Sequence, residues 1–123
     1  MNICKKELLA VKMLTARSDF VVVQSKGKKW VSHGLILQVY KNDLDIIRIG
    51  YTVSKKVDKS AVKRNRIKRR LRSIVGEIIP THAKNGYDYI LVGRKLTATR
   101  PYETLKNDLK WCLKKTGFYK VHD

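Results

Sequence analysis

Basic side chains concentrate in one stretch of the 123-residue sequence, Lys55 to Arg72. The stretch reads KKVDKSAVKRNRIKRRLR and holds ten lysines and arginines against a single acid, Asp58, a local charge of +9. The whole chain carries +18, so half of its excess charge lies here. Arginine offers planar, paired donors that match phosphate oxygens, and it stays charged at neutral pH. The stretch therefore indicates binding of a polyanion through its phosphates.

Apolar residues within and after this stretch recur at helical spacing. They are Ile67, Leu71, Ile74, Val75 and Ile78. Such spacing forms one apolar stripe along an amphipathic helix, which can dock on a core while its other side faces solvent. The pattern predicts a helix from near Lys59 to Ile79, ended by Pro80 because proline cannot continue the hydrogen-bond ladder.

The cationic positions of this predicted helix lie away from the stripe. At about 100° per residue, Asn65, Arg69 and Arg72 project from the opposite side. The flanking positions are Arg66, Arg70 and Lys68. A solvated basic face, or a short run of the nuclear-import type, would give the same composition. The anchoring stripe favours a structured helix that binds RNA or DNA.

Composition bounds the remaining possibilities. Hydrophobic residues make up 43% of the chain, which argues against disorder and predicts one compact domain spanning 1–123, with 1–13 and 118–123 loosely ordered. Cys4 and Cys112 form no CxxC pair and the three histidines are scattered, so we expect neither zinc nor any tightly bound cofactor. Without an apolar run of about 18 residues or a signal-peptide pattern, we expect a cytoplasmic protein and no membrane partner.

The elements that must position the basic helix are predicted as one α+β domain. A first helix runs from Ala16 to about Ser25, with Thr15 as its N-cap and Gly27 at its end. An extended lead-in precedes it. Strands are expected at 34–41, 46–54 and 87–93, with a short edge strand at 30–33 and a last helix at 101–116.

Two details of this prediction concern the sheet and the aromatic residues. The strands at 34–41 and 46–54 most simply pair as an antiparallel hairpin, and 87–93, apolar on both faces, is expected to be central and covered. Trp111 and Tyr102 are expected to pack in the core or at its rim rather than to stack on bases.

At Arg48–Arg72 the sequence RIGYTVSKKVDKSAVKRNRIKRRLR resembles the signature region of the bacterial ribonuclease P protein subunit. In that family a strand ending in SKK leads through a short loop into a helix that carries RNR-I-K-R. The resemblance extends to Leu14-Thr15 followed by Phe20, and to the strand YDYILVGRK before a final helix. It covers roughly residues 14–117.

The resemblance implies an αβββαβα order, a four-stranded mixed sheet with three helices, and a left-handed βαβ crossover through the RNR helix. It also implies a function. The chain would bind the catalytic ribonuclease P RNA and precursor tRNA, and assist the Mg²⁺-dependent endonucleolytic removal of the 5′ leader. The RNA would be the catalyst, so the isolated chain would have no catalytic or metal-ligating residue of its own.

The same resemblance implies two sets of binding residues. The expected contacts with ribonuclease P RNA are Lys55, Lys56, Lys63, Arg64, Asn65, Arg66, Lys68, Arg69, Arg70 and Arg72. The expected cleft for the single-stranded leader is formed by Phe20, Gln24, Gln38, Thr52 and Ser54. Family members often carry aromatic residues where this chain has Gln24 and Gln38, and a base stacked on an aromatic ring contributes about 1–3 kcal/mol. Phe20, considered without the resemblance, could equally be a core residue.

Other functional classes remain open at this stage. A small metal-dependent endonuclease would cut precursor tRNA without RNA, although the ten acids form no obvious metal cluster. A general RNA-binding or ribosomal protein would bind without preferring ribonuclease P RNA. A peripheral membrane protein is disfavoured because the polar edge of the basic helix lacks bulky aromatic residues.

Overall fold

The computed structural model describes residues 11–116, and the expectations for residues 1–10 and 118–123 lie outside this range. Within residues 11–116 the fold consists of five strands, three α-helices and one 3₁₀ turn. In chain order they are β1 (Val11–Met13), α1 (Arg17–Lys26), β2 (Lys28–Val31), β3 (Leu35–Lys41), β4 (Ile47–Thr52), α2 (Ala61–His82), β5 (Tyr87–Gly93), the 3₁₀ turn (Lys95–Ala98) and α3 (Tyr102–Thr116). The predicted α+β class with three helices is confirmed.

The strands form one mixed sheet in the order β1-β4-β5-β3-β2. The central position of β5 was predicted from its apolar faces and is confirmed, whereas the predicted β3–β4 hairpin is wrong. Both strands pair with β5 instead, β3 in antiparallel and β4 in parallel orientation. A strand that is apolar on both faces, such as β5, is best covered in the middle of the sheet. A β3–β4 hairpin would exclude β5 from this position between the two strands.

The lead-in to α1 adds a fifth strand to the expected four. Val11–Met13 pairs in parallel with β4, so the extended conformation expected for this segment is confirmed and the expected strand count is one too low. Helix α2 joins the parallel neighbours β4 and β5, as the resemblance implied. The left-handed sense of that crossover stays a prediction.

One face of the sheet packs against α2 and α3. The stripe predicted on α2, from Ile67 to Ile78, is buried at every position. It meets alternate residues of the three inner strands: Leu35, Leu37, Val39, Ile47, Ile49, Tyr89 and Leu91. Burial of these side chains holds α2 in one orientation on the sheet.

The other face is only partly covered, by α1. Val23 of α1 packs on Leu14 and Ile90, with Phe20 beside them. Val21, Val22 and Val23 have a preference for strands, and the burial of Val23 in this cluster explains why they are nevertheless helical. The part of the sheet that α1 leaves uncovered forms a groove.

The ends of α1 differ from the prediction in detail. Its N-cap is Ala16, not Thr15, and no side chain caps the helix; the backbone N–H groups of Asp19 and Phe20 donate to the Ala16 carbonyl oxygen instead. Gly27 ends the helix with an extended backbone. A Cβ there would lie 2.5 Å from the Val23 carbonyl oxygen and 2.6 Å from that of Val39, so the close approach of α1 to β3 requires glycine.

Helix α2 continues past the residue predicted to end it. Ser60 caps its start by accepting a hydrogen bond from the Lys63 N–H at 3.3 Å, and the helix runs through Pro80 to His82. Proline removes one ladder hydrogen bond but its φ is compatible with a helix. Burial of Ile79 and Ala83 on either side of Pro80 holds the last turn in place.

Candidate nucleic-acid interface

Because the apolar stripe of α2 is buried against the core, the basic face of the helix is directed towards solvent. Most of the predicted cationic and polar contact positions, on α2 and in the loop before it, are exposed: Lys55, Lys56, Lys63, Asn65, Arg66, Arg69 and Arg72. Arg64, Lys68 and Arg70 are half-buried. The helix therefore holds a row of guanidinium and ammonium groups at fixed spacing, a geometry suited to the phosphates of a folded nucleic acid.

Arg64 braces the loop that leads into α2. Its Nη1 donates to the carbonyl oxygens of Asp58 and Lys59, both at 2.9 Å. In the same loop the Asp58 carboxylate accepts a hydrogen bond from the Ser60 N–H at 2.9 Å. Arg64 thus helps to fix the position of the loop relative to the basic helix.

Arg70 is turned towards the protein. Its two Nη atoms donate to the carbonyl oxygens of Ala98, at 3.0 Å, and Arg100, so they join α2 to the end of the 3₁₀ turn and to the segment that follows it. Its Nε is buried without a hydrogen-bond partner among the described residues. Periodicity placed Arg70 on a flank of the helix but could not show that a later segment supplies these carbonyl groups.

Arg72 connects the basic face to the sheet. Its guanidinium carbon lies 5.2 Å from the centre of the Tyr51 ring on β4, a cation–π distance. Burial raises the pKa of Tyr51 to about 12, and the charge of Arg72 opposes that shift. The phenol is therefore neutral at physiological pH and presents its aromatic face to the guanidinium.

The groove beside α1 brings together all five residues predicted for the leader cleft. A depression of about 280 Å³ is lined by Phe20, Gln24 and Thr52. A neighbouring one of about 430 Å³ is lined by Gln24, Thr52, Gln38 and Ser54. Because Gln24 and Thr52 border both, the two depressions form one continuous groove between α1 and the sheet.

Strand register explains how these residues meet. Gly50 of β4, Ile90 of β5 and Gln38 of β3 lie side by side, and Thr52, Val92 and Ile36 form the next row. Gln38 and Thr52 are therefore separated by β5, although the sequence suggested neighbouring strands. A Cβ on Gly50 would lie 2.5 Å from the Phe20 ring, so Phe20 rests directly on the glycine backbone. Phe20 is half-buried and serves both the small second core and the groove wall.

The sequence missed several residues of the groove. They are Thr15, Arg17, Val21, Lys29, Ile36, Val53 and Val92. The alternation of Ile36 and Val92 with core residues could have placed them on this face of the sheet. Arg17 and Lys29 add positive charge at its margin. The Oε1 atom of Gln38 is buried and has no hydrogen-bond partner among the described residues.

The groove continues towards the loop that precedes α2. A further depression of about 390 Å³ shares Ile36 and Val92 with the groove and is bordered by Lys56, Arg94 and Lys95. An extended nucleic-acid strand could therefore run from α1 towards the basic loop along a groove whose floor includes Ile36 and Val92 and whose margins carry lysine and arginine. This arrangement suits unpaired nucleic acid, whose backbone follows a positive groove.

Between residues 11 and 116, no group of three or more His, Cys, Asp or Glu side chains could hold a metal ion. Cys112 is buried and its pKa is raised to about 11 by loss of hydration, so it is a thiol and a weak nucleophile at neutral pH.

Among residues 11–116, no helix is both long and apolar enough to cross a membrane.

Comparison with known proteins places the chain in a family. The family model described as Ribonuclease P matches residues 9–117. The ribonuclease P protein component of Paramagnetospirillum magneticum is 48% identical over 109 residues, which cover 85% of this chain and 81% of that protein. The protein component of Gluconacetobacter diazotrophicus is 44% identical over 105 residues, or 85% and 90% of the two chains.

Solved structures agree with this assignment. The RNase P protein of Staphylococcus aureus superimposes with a TM-score of 0.74 at 26% identity, covering 88% of this chain and 97% of that one. The RNase P protein of Thermotoga maritima gives a TM-score of 0.72 at 27% identity, covering 84% and 96%. The family model spans nearly all of the described fold, and the nearly half-identical relative covers most of the sequence. The chain belongs to the bacterial ribonuclease P protein family.

Proposed function

We propose that this chain is the protein component of a bacterial ribonuclease P, which removes the 5′ leader of precursor tRNA. The observation that carries the proposal is the exposed row of Asn65, Arg66 and Arg69 on a helix whose opposite side is fully buried. Such a row can meet a folded RNA backbone without disturbing the core. We infer that it binds the ribonuclease P RNA, together with Lys55, Lys56, Lys63, Lys68 and Arg72.

Arg64 and Arg70 are proposed to have a structural role that differs from the RNA-binding role of the exposed row. Both use guanidinium donors on backbone carbonyl groups of the chain itself, so fewer donors remain for RNA. Arg64 fixes the loop before α2, and Arg70 joins α2 to the end of the 3₁₀ turn and the residues after it. We infer that they position the basic face, and that any contact they make with phosphate is secondary to that role.

The groove is the proposed path of the single-stranded leader. Phe20 offers a ring on which a base can stack, and Arg17, Lys29 and Lys56 supply positive charge along the way. Gln24 and Gln38 offer amides where a ring would stack, so contact with the leader depends more on hydrogen bonds here than in relatives with aromatic residues. Mature tRNA lacks the leader, so the groove would favour precursor over product.

Catalysis is proposed to belong to the RNA. The family's reaction requires Mg²⁺, but the donors in residues 11–116 do not form a site for a resident metal ion. The chain would instead bring RNA and substrate together and neutralise their phosphates, which matters most when Mg²⁺ is scarce. We therefore expect the isolated chain to have no nuclease activity.

Reconstitution tests this function directly. Purified chain is added to the ribonuclease P RNA of the same organism at low Mg²⁺, and cleavage of precursor tRNA is measured against RNA alone. A large acceleration is expected, with no cleavage by the chain alone. Cleavage by RNase-treated protein would favour an independent endonuclease, and equal affinity for unrelated folded RNAs would favour a general RNA-binding protein.

A charge-matched pair of variants tests the binding face. Arg66→Ala with Arg69→Ala should weaken assembly and reduce the slope of log affinity against log salt by about 1–2, because each lost phosphate contact releases fewer counterions. Lys12→Ala with Lys41→Ala removes the same charge from exposed positions at the other end of the sheet. That control should leave the slope almost unchanged; equal effects of both pairs would refute the assigned surface.

A further inference from the structure

Two tryptophans lie together at the surface, apart from the basic helix. Trp30 on β2 and Trp111 on α3 are 36% and 42% exposed. Their ring centres are 6.4 Å apart with the planes at 90°. The sequence predicted core or rim packing for Trp111, yet much of its ring faces solvent. Tryptophan is enriched among the residues that dominate binding interfaces, so this exposed pair is a candidate binding surface.

A cavity of about 570 Å³ opens beside Trp111. One side of α3 forms its first wall, through Thr104, Asn107, Asp108 and Trp111, and the turn between β2 and β3 with Arg94 forms the second. Volumes of this order accommodate small organic ligands. The wall residues combine an aromatic surface with amide, hydroxyl and guanidinium groups.

Hydrogen bonds hold the second wall in place. Arg94 donates through Nη1 to the Ser32 carbonyl oxygen, and the Thr97 hydroxyl donates to the Gly34 carbonyl oxygen. These bonds tie the β2–β3 turn to the segment after β5. The cavity is therefore formed before any ligand arrives, which lowers the entropic cost of binding.

The first wall is fixed by an ion pair. Arg100 donates through Nε and Nη2 to both carboxylate oxygens of Asp108. Asp108 is the only acidic residue among those lining the cavity. Because Arg100 balances its charge, Asp108 does not make the cavity repel an anionic ligand.

The cavity lies at the end of the proposed leader path. His33 and Arg94 border both this cavity and the depression that continues the groove past Ile36 and Val92. A strand that leaves the groove along Ile36 therefore passes His33 and Arg94 and arrives at Trp111. Continuity with the groove points to the same ligand in both places.

Charge also identifies the occupant. The Nζ atom of Lys115 lies 5.8 Å from the centre of the Trp111 ring. Lys110 precedes Trp111 in the sequence, and Arg94 lines the same cavity as Trp111. A second copy of this chain would bring another net charge of +18 to the same surface, which disfavours self-association there. Aromatic rings within a cationic surface are typical of single-stranded nucleic acid binding, with bases stacked on rings and phosphates near cations.

We propose that the Trp111 cavity binds an unpaired nucleobase of the precursor leader, upstream of the part held in the groove. The proposal rests on the proposed function, since it extends the path of the same substrate. Trp111 supplies the stacking surface, Trp30 supports its ring, and Arg94 and Lys115 neutralise the adjoining phosphates. Longer leaders would then bind more tightly than leaders that end within the groove.

The test uses the reconstituted holoenzyme and precursors whose leaders are lengthened one nucleotide at a time. Affinity should rise in a step, by about fivefold for one stacked base, at the length that reaches Trp111. Trp111→Ala should abolish the step and leave the affinity of shorter leaders unchanged. Trp111→Phe should keep most of the step, which separates loss of the ring from loss of the fold.

Fluorescence gives a second measurement. Trp30→Phe leaves Trp111 as the only tryptophan of the 123 residues. Long leaders should quench its emission in the holoenzyme, and short leaders should not. Quenching that is the same for both lengths would overturn the proposal.

Three other outcomes would also refute it. The first is a step that persists in Trp111→Ala. The second is weaker binding of the RNA subunit by Trp111→Ala at every leader length, which would assign the cavity to that RNA. The third is a dimer, seen by sedimentation, that Trp111→Ala disrupts. Failure of the proposed function is distinguishable, because it would abolish assembly with the RNA or the preference for short-leader precursor over mature tRNA. Failure of this inference alone leaves both intact.

Discussion

Arg48 on β4 donates two hydrogen bonds to the carboxylate of Asp88 on β5, from Nε at 2.8 Å and from Nη2 at 2.7 Å. Its Nη1 also reaches Asp19 on α1 at 3.2 Å. The hydrogen bonds that Arg48 donates to the Asp88 carboxylate are the main cause that raises the pKa of Arg48. One guanidinium therefore links two parallel strands to the helix that forms the groove wall.

Replacing Arg48 by methionine should destabilise the fold by about 3–5 kcal/mol, because it leaves the buried Asp88 carboxylate without its cation. Only 5% of the Asp88 side chain is exposed. Asp19→Asn removes a more exposed pair and should cost less than about 1 kcal/mol. Urea unfolding measures both, and similar small losses would show that Asp88 does not depend on Arg48.

The buried stripe of α2 predicts that a new carboxylate destabilises the fold on one side of the helix and has little effect on the other. Leu71→Asp should destabilise the fold by more than about 3 kcal/mol, since it places a carboxylate in the core without a partner. Asn65→Asp introduces the same charge on the exposed side of the helix and should change stability by less than about 0.5 kcal/mol. Circular dichroism during thermal unfolding compares them; a folded Leu71→Asp protein with unchanged stability would contradict the assigned core.

An aromatic ring in the groove should strengthen leader binding. Gln38 lies on the groove floor next to Ile90, and Gln38→Tyr would provide a stacking surface there. We expect about tenfold tighter binding of precursor tRNA to the holoenzyme, and no change for mature tRNA. Gln38→Leu adds apolar surface without a ring and serves as the control. Equal gains from tyrosine and leucine would point to hydrophobic burial instead of stacking.

Alkaline pH should destabilise the fold through Cys112. Loss of hydration raises the pKa of its thiol from 9.0 to about 11, so the folded state holds this proton more tightly than the unfolded state. The stabilisation is fully present below pH 9 and is lost as pH rises towards 11, by roughly 2 kcal/mol. Tyr51 and Tyr89, whose pKa values burial also raises, act in the same direction.

Cys112→Ala isolates the contribution of the thiol. The variant should be less stable than the parent near neutral pH because of the cavity, but its stability should fall less steeply above pH 9. Urea unfolding at several pH values gives both slopes. Parallel slopes would mean that Cys112 does not ionise within this range.

Sequence periodicity predicted α2 well because a helix is determined by residues three and four positions apart. All five residues of the predicted stripe are buried, and Asn65, Arg66 and Arg69 are exposed as expected. These features depend on neighbouring residues, and local spacing is visible in a single sequence.

The pairing of the strands could not be predicted from local spacing in the sequence. β3 and β4 each have an apolar face that would suit a hairpin, but β5, more than thirty residues beyond β4, lies between them. The choice depends on which arrangement covers the most apolar surface in three dimensions, and that is a property of the whole chain. The groove therefore contains the predicted residues, with Ile90 and Val92 between them.

The sequence by itself determined the family resemblance, the amphipathic α2 and the residue types that meet phosphate. Only the tertiary structure decided that Arg70 is directed at the Ala98 and Arg100 carbonyl groups, and that Trp111 borders a cavity continuous with the groove. Charge and periodicity follow from the order of residues along the chain. The direction and exposure of one side chain depend on segments distant in sequence, and these meet only in the folded protein.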